Sequence, residues 1–343
     1  MLLAKVSTEL KPKRLLVMLS VPVCALLVLG WLLRQPILPP PPAAPGGPAA
    51  EPARLEAHVR MLSETLAPRD AAHPARLDRA AAYIRAEFKA SGAAVTELEY
   101  TFQERNQRNK LEDQGPFRNV MARFGPESGD RIVVGAHYDA AGEKPGADDN
   151  ASGVAGLLEL ARLLRLQAPP IRVDLVAYST EEPPYYGTAF MGSGFHARAL
   201  REEGAAVRAM LSLEMLGAFS DAPGSQRYPA PLARLFYPGR GNFIAVAGRY
   251  KDAPLARRVK RAMWAASPLP VYSLNSPPGV PGIPLSDHAS YWDAGFPALM
   301  VTDTAFYRNE RYHTAEDTAD RLDYGRMAMV VNGVHAAVLD LAR

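Results

Sequence analysis

The sequence predicts a single α/β domain built on a mixed, mostly parallel β-sheet flanked by helices. Three observations carry that expectation. Apolar strand-like runs alternate with segments of helical period over about 280 residues. Acidic and histidine residues fall at the ends of those runs, where an open α/β sheet gathers a site. The chain has 343 residues, 48% apolar and 22% charged, which is enough for a sizeable core.

The elements follow in order. Leu15 to Leu33 is an uncharged run of 19 residues, about 28 Å long as a helix. Lys5, Lys11, Lys13 and Arg14 precede it and only Arg34 follows closely. The positive-inside rule then predicts a cytoplasmic N-terminus at 1–14, a transmembrane anchor at 15–33 and a periplasmic or otherwise extracytoplasmic catalytic domain. A cleaved signal peptide has a shorter apolar core, roughly 7–15 residues, and a small-residue cleavage site. Neither matches, so the expectation is an uncleaved single-pass membrane protein with the lipid bilayer as a partner. Residues 34–53 form a Pro/Ala-rich linker, with eight prolines between 36 and 52; it reads as a stiff spacer that holds the globular part off the bilayer. Cys24, the only cysteine, lies inside the apolar run, so the rest of the chain has no disulfide. Beyond residue 50 the chain has 34 basic and 35 acidic residues. This near-neutral body argues against nucleic acid as a partner.

From about Leu55 the period becomes helical, in ARLEAHVRMLSETL and then ARLDRAAAYIRAEFKASG, with Gly92 as a candidate C-cap. Strand-like runs follow: AVTELEY, NVMARFG and RIVVGAHYD. GVAGLLELARLLRL reads as a helix and RVDLVAYST as a buried strand, while RAMLSLEML and NFIAVAG are further strands. PLARRVKRAMWAA is an amphipathic helix and PALMVTD a last buried strand. The segment from about 220 to 285 is rich in Pro and Gly at both ends, as loops bordering a site would be.

Five short segments could carry chemistry. His137 and Asp139 lie two apart at the end of a strand and so share a face; alone, such a pair is more often a surface feature. In Gly146-Ala147-Asp148-Asp149-Asn150-Ala151-Ser152-Gly153, two adjacent acids between small residues precede an apolar helix. Helix capping explains one of these polar residues, whereas two neighbouring carboxylates also call for a cation. Glu181-Glu182 follows a buried strand, and adjacent side chains project differently, so one can ligate a metal while the other faces water. Glu214 stands in the apolar run Leu211–Leu216 and needs a partner, either a metal or an arginine. His313 follows the last strand in YHTAEDT. Two imidazoles with several carboxylates make a donor set suited to divalent zinc. His58, His73, His196 and His335 read as ordinary structural or surface histidines, and Asp287-His288 as pocket lining or local hydrogen bonding.

Taken in order, AHYD, GADDNASG, TEE, LEMLG and SDH…YHTAEDT resemble the motifs of the co-catalytic di-zinc aminopeptidase family, whose clan includes glutamate carboxypeptidase and glutaminyl cyclase. The resemblance runs from about Leu55 to the C-terminus and marks the chain as similar to a bacterial membrane-anchored member, with the peptidase domain at 54–343. It implies a phosphorylase/hydrolase-like fold. It further implies His137, Asp148, Glu182, Glu214 and His313 as metal ligands for two Zn²⁺, with Asp148 bridging and a cis peptide at Asp148–Asp149. Glu181 takes the place of the general base that activates a metal-bridging water, and Asp139 that of the partner orienting His137. Glu214 stands where better-known members carry Asp. The activity implied is hydrolysis of N-terminal peptide bonds in peptide or small amino-acyl substrates. The alternative on the same scaffold is a glutaminyl-peptide cyclase, a mono-zinc acyltransferase; a metal-free receptor-like ectodomain fits poorly with so full a ligand set.

Overall fold

The alternating runs close into one eight-stranded sheet in the computed structural model, which describes residues 12–37, 46–105, 109–277 and 279–343, with backbone only over 12–19. In chain order the elements are α1 (Pro12–Arg34), α2 (Pro52–Arg60), α3 (Pro74–Ala90), β1 (Ala94–Arg105), β2 (Leu111–Phe124), β3 (Arg131–His137), α4 (Gly153–Leu166), β4 (Arg172–Tyr178), α5 (Gly192–Glu202), β5 (Val207–Glu214), β6 (Ile244–Arg249), α6 (Ala253–Ala266), β7 (Val271–Ser276), α7 (His288–Asp293), β8 (Ala298–Thr302) and α8 (Tyr324–Leu341). Their order across the sheet is β1-β2-β4-β3-β5-β8-β6-β7. The central strands β4, β3, β5 and β8 are mutually parallel, whereas β1, β2 and the β6–β8 pairing are antiparallel. The expected mixed α/β sheet flanked by helices is therefore what the chain forms.

Burial explains the strand pattern. β3 is buried at every position, as a central parallel strand covered on both faces must be. One face packs on α4 and α8, with Leu157, Leu160, Val331, Val334 and Val338 in the larger core. The other face meets α5 and α7 through Val133, Val176, Met210 and Tyr291. Strand β7, in VYSLNS, lacks a strong apolar period and was not anticipated; its pairing with β6 rather than its own composition makes it a strand.

The N-terminal expectation needs correction. The apolar run does form a helix, α1, with Pro22 in its interior. Among the described residues, however, no helix is long and apolar enough to cross a membrane. The single-pass membrane localisation, with its lipid partner and exported domain, is not upheld. Nor does the helix lead straight into a free spacer. Its last turn docks on the domain, where Lys260 donates to the carbonyls of Arg34 and Gln35 (both 2.6 Å), Ser273 donates to that of Arg34 (2.6 Å) and Asn275 to that of Leu33 (3.2 Å). These side chains satisfy carbonyls that a helix end leaves without partners. Gln35 and Ile37 are buried, and at the other end of the expected linker the Ala50 N–H donates to Asn332. Residues 1–11 and 38–45, which include most of the expected cytoplasmic segment and part of the linker, lie outside the described residues.

Candidate metal centre

The helix after β3, α4, lies on one face of the sheet, and the helix after β4, α5, lies on the other. The connections diverge at the C-terminal end of β3, which opens a crevice there. Four of the expected segments meet in it: His137 ends β3, Glu181-Glu182 follow β4, Glu214 ends β5, and the loop after β8 brings in His313.

The fifth contributes a different residue from the one expected. Asp149, not Asp148, lies between the two imidazoles. Its Oδ1 is 3.4 Å from His137 Nε2 and its Oδ2 is 3.0 Å from His313 Nε2. Asp148 points away: Oδ1 accepts from the Gly217 N–H at 2.9 Å and Oδ2 from Asn309 Nδ2 at 2.8 Å. Both Asp148 oxygens are thus engaged by the protein, and burial and the facing Asp303 push its pKa well above the ordinary range. The cis peptide moves by the same one residue, to Asp149–Asn150.

Local sequence builds this loop. Gly146 has φ +56°, and a Cβ there would stand 2.2 Å from the Asp149 carbonyl, so only glycine fits. Gly153 lets α4 start against β5, because a Cβ would meet the Leu213 carbonyl at 2.5 Å. Asn150 accepts from the Gly153 and Met215 N–H groups and donates to the Leu213 carbonyl, tying the loop to β5. Asp317 accepts from the N–H groups of Asp148 and Asp149.

Around Asp149 the remaining donors form two groups. His137 Nε2 lies 3.5 Å from Glu214 Oε2, and His313 Nε2 lies 3.1 Å from Glu182 Oε2. Glu181 Oε2 is farther out, 3.8 Å from His137 Nε2. Ser286 donates to Glu214 Oε2 at 2.7 Å, and the Tyr312 ring stacks on His313 with centroids 3.8 Å apart. Asp139 is 3.5 Å from His137 Nδ1, and its two oxygens accept the N–H groups of Glu181 and Glu182. It thus holds the Glu-Glu pair as well as the imidazole.

The site suits a divalent metal. His137 Nε2, Asp149 Oδ2, Glu182 Oε1 and His313 Nε2 are buried polar atoms without hydrogen-bond partners. Among the described residues, candidate ligand atoms lie within 4.8 Å of one another in three groups: His137, Asp149 and Glu214; His137, Glu181 and Glu182; and Asp149, Glu182 and His313. Electrostatics points the same way. Burial raises Glu181 well above its usual pKa and Glu182 to about 7, the latter also through the facing Asp149. Burial alone would lower His313, but the Asp149 and Glu182 carboxylates beside it raise it to about 10. Without a cation the cluster therefore holds protons at neutral pH. Metal must displace them, so affinity should climb steeply as pH rises and fall in acid. Calorimetric zinc titrations in buffers of different ionisation enthalpy should register proton release; pH-independent affinity would contradict this electrostatic picture.

Arg69 is a site residue that sequence reasoning missed. It is fully buried and donates to the carbonyls of Tyr138 (2.9 Å), Leu62, Pro145 and Gly146 (2.5 Å), clamping the loop that ends at Asp149. No sequence period marks it, because its partners are backbone atoms, three of them 69 to 77 residues along the chain. Arg69→Met should destabilise the protein by about 2–4 kcal/mol, since several buried carbonyls lose their donor. Urea unfolding would measure this, and an unchanged midpoint would refute the clamp. Asp287 is also buried, both oxygens lack partners, and burial raises its pKa to about 7; His288 Nε2 donates to the Ile283 carbonyl at 2.7 Å, and its ring meets Trp292 edge-on. Among the described residues His58, His73, His196 and His335 take no part in the cluster, with Tyr83, Asp70 and Tyr291 as neighbours of the first three.

Comparisons with known proteins give the family and the fold. The model of Peptidase family M28 matches residues 119–338. YfbL of Escherichia coli (strain K12) is 48% identical over 293 residues, covering 83% of this chain and 87% of that protein. Leucine aminopeptidase 1 of Grosmannia clavigera is 29% identical over 239 residues, covering 65% of this chain and 53% of that protein, so the chain spans about half the length of that relative. In fold, the chain is similar to LapB from Legionella pneumophila, with TM-score 0.65, 21% identity and coverage of 85% of this chain and 72% of LapB. It is comparably similar to a glutaminyl cyclase from Bacteroides thetaiotaomicron, with TM-score 0.64, 19% identity and coverage of 86% and 99%. A family match spanning every residue of the cluster from His137 to His313, on a sheet that gathers them at one crevice, places this chain in peptidase family M28, as a metallopeptidase.

Proposed function

We propose that the chain, over residues 54–343, is a zinc-dependent aminopeptidase that releases N-terminal residues from peptides. The observation that carries this reading is the position of the Asp149 carboxylate between two imidazole–carboxylate pairs. His137, Asp149 and Glu214 would hold one ion, and Asp149, Glu182 and His313 the other. Bound zinc would supply Lewis acidity and lower the pKa of water. Glu181 is the residue left to move protons: it takes one from the attacking water and passes it to the departing amine. Burial raises its pKa above that of an ordinary carboxylate, and bound cations would counter that rise by favouring the charged, proton-accepting form. The acidic surplus of the crevice also favours the free ammonium of a substrate's N-terminus.

The glutaminyl cyclase reading needs only one zinc, whereas two of the three donor groups here share the Asp149 carboxylate. Metal analysis combined with a peptide panel separates the two. The expected result is about two zinc ions per chain and release of free amino acids. One zinc, with cyclisation of N-terminal glutamine and no hydrolysis, would overturn the proposal. His313→Ala should remove one of the two ions, because that group loses one of its three donors.

A further inference from the structure

Beside the metal centre lies a cavity of about 370 Å³ that begins at Glu214 and Tyr312 and extends away from the cluster between aromatic walls, including Phe236 and Tyr272. That volume is in the range of small-molecule pockets, and its walls are overwhelmingly apolar. Part of the wall comes from outside the family match: Leu29 and Leu33 of α1 line the cavity.

The placement of α1 there is built. Lys260, only 3% exposed, reaches the carbonyls that end the helix, joined by Ser273 and Asn275. The Arg34 guanidinium lies 4.7 Å over the Tyr272 ring. Gly30 admits the edge of Phe236, which a Cβ would approach to 2.6 Å. The docked turn thus presents Leu29 and Leu33 to a cavity that Glu214 of the metal centre also lines. Other apolar residues on the helix, such as Leu27 at 68% exposure, face away.

We infer that Leu29 and Leu33 are specificity-determining residues: the end of α1 completes a pocket that selects substrates whose first residue has a large apolar side chain. The inference rests on the aminopeptidase reading above. A phenyl or branched alkyl group leaving water for this pocket gains the full apolar contact, whereas a methyl leaves most of it unfilled.

The test uses the full chain loaded with zinc and compares phenylalanine and alanine 4-nitroanilides. The unaltered protein should prefer the phenylalanine substrate by roughly tenfold or more in kcat/KM. Leu33→Trp fills the cavity and should cut that preference by about tenfold or more, through KM for the larger substrate. Leu29→Ala should raise KM for phenylalanine alone, and Leu27→Ser should leave the preference unchanged. A preference for alanine in the unaltered protein, or equal effects of Leu33→Trp on both substrates, would overturn the inference. Binding of phenethylamine and ethylamine, followed by calorimetry, separates this failure from that of the parent reading. If neither anilide is cleaved, the aminopeptidase reading fails. Leu33→Trp must still weaken phenethylamine binding, and unaltered binding would sink the pocket assignment.

Discussion

Glu181→Gln is expected to leave the fold and the metal content intact while lowering turnover by about 10²–10⁴-fold, the usual range for a positioned acid–base group. The geometry motivates the separation. Glu182 Oε2 lies 3.1 Å from His313 Nε2, within the second donor group, while Glu181 Oε2 stands 3.8 Å from His137 Nε2, the longest of the imidazole–carboxylate distances. Asp139 fixes both residues by accepting their N–H groups, so an amide at 181 does not disturb the chain path. Glu182→Gln should behave differently and weaken metal binding itself, because a neutral amide is a poorer ligand. Metal analysis and steady-state rates on the two variants in parallel decide the matter. If Glu181→Gln loses metal and Glu182→Gln retains it, the roles are reversed.

The second large effect concerns the adjacent acids. Asp149→Asn should reduce metal affinity by at least about 10²-fold and abolish most activity, since both donor groups share that carboxylate. Asp148→Asn should keep the metal. It removes an acceptor from either the Gly217 N–H or the Asn309 amide, at a cost of about 1–3 kcal/mol in stability. Inductively coupled plasma measurements and urea unfolding on each variant separate a metal defect from a stability defect. Loss of metal in Asp148→Asn, with retention in Asp149→Asn, would restore the assignment expected from the motif.

Much of this site was legible in the residues themselves. Buried strands ending in His137, just before Glu181 and at Glu214 predict their convergence, because parallel strands of one sheet deliver their C-terminal ends to one edge. The close approaches of Gly146 to the Asp149 carbonyl and of Gly153 to the Leu213 carbonyl, by contrast, appear only in the fold. The choice between Asp148 and Asp149 was not legible. Adjacent carboxylates are chemically equivalent in a sequence, and only the backbone path through the loop decides which one faces the imidazoles. Arg69 escaped notice for a related reason, as its four acceptors are backbone carbonyls with no side-chain signature.

The apolar N-terminal run shows the same division most clearly. Its composition determined that it would be a helix, and α1 is one. Hydropathy alone suggested a bilayer as its surroundings, because it sums transfer preferences and carries no record of neighbours. The tertiary structure instead places Lys260, Ser273 and Asn275 at the end of that helix, with Leu29 and Leu33 on a cavity beside Glu214. The alternation of strands and helices and the donor chemistry of the cluster were thus written in local pattern and residue type. Which of two like neighbours enters the cluster, and what the apolar helix packs against, depend on contacts between residues distant in sequence, and those exist only once the chain has folded.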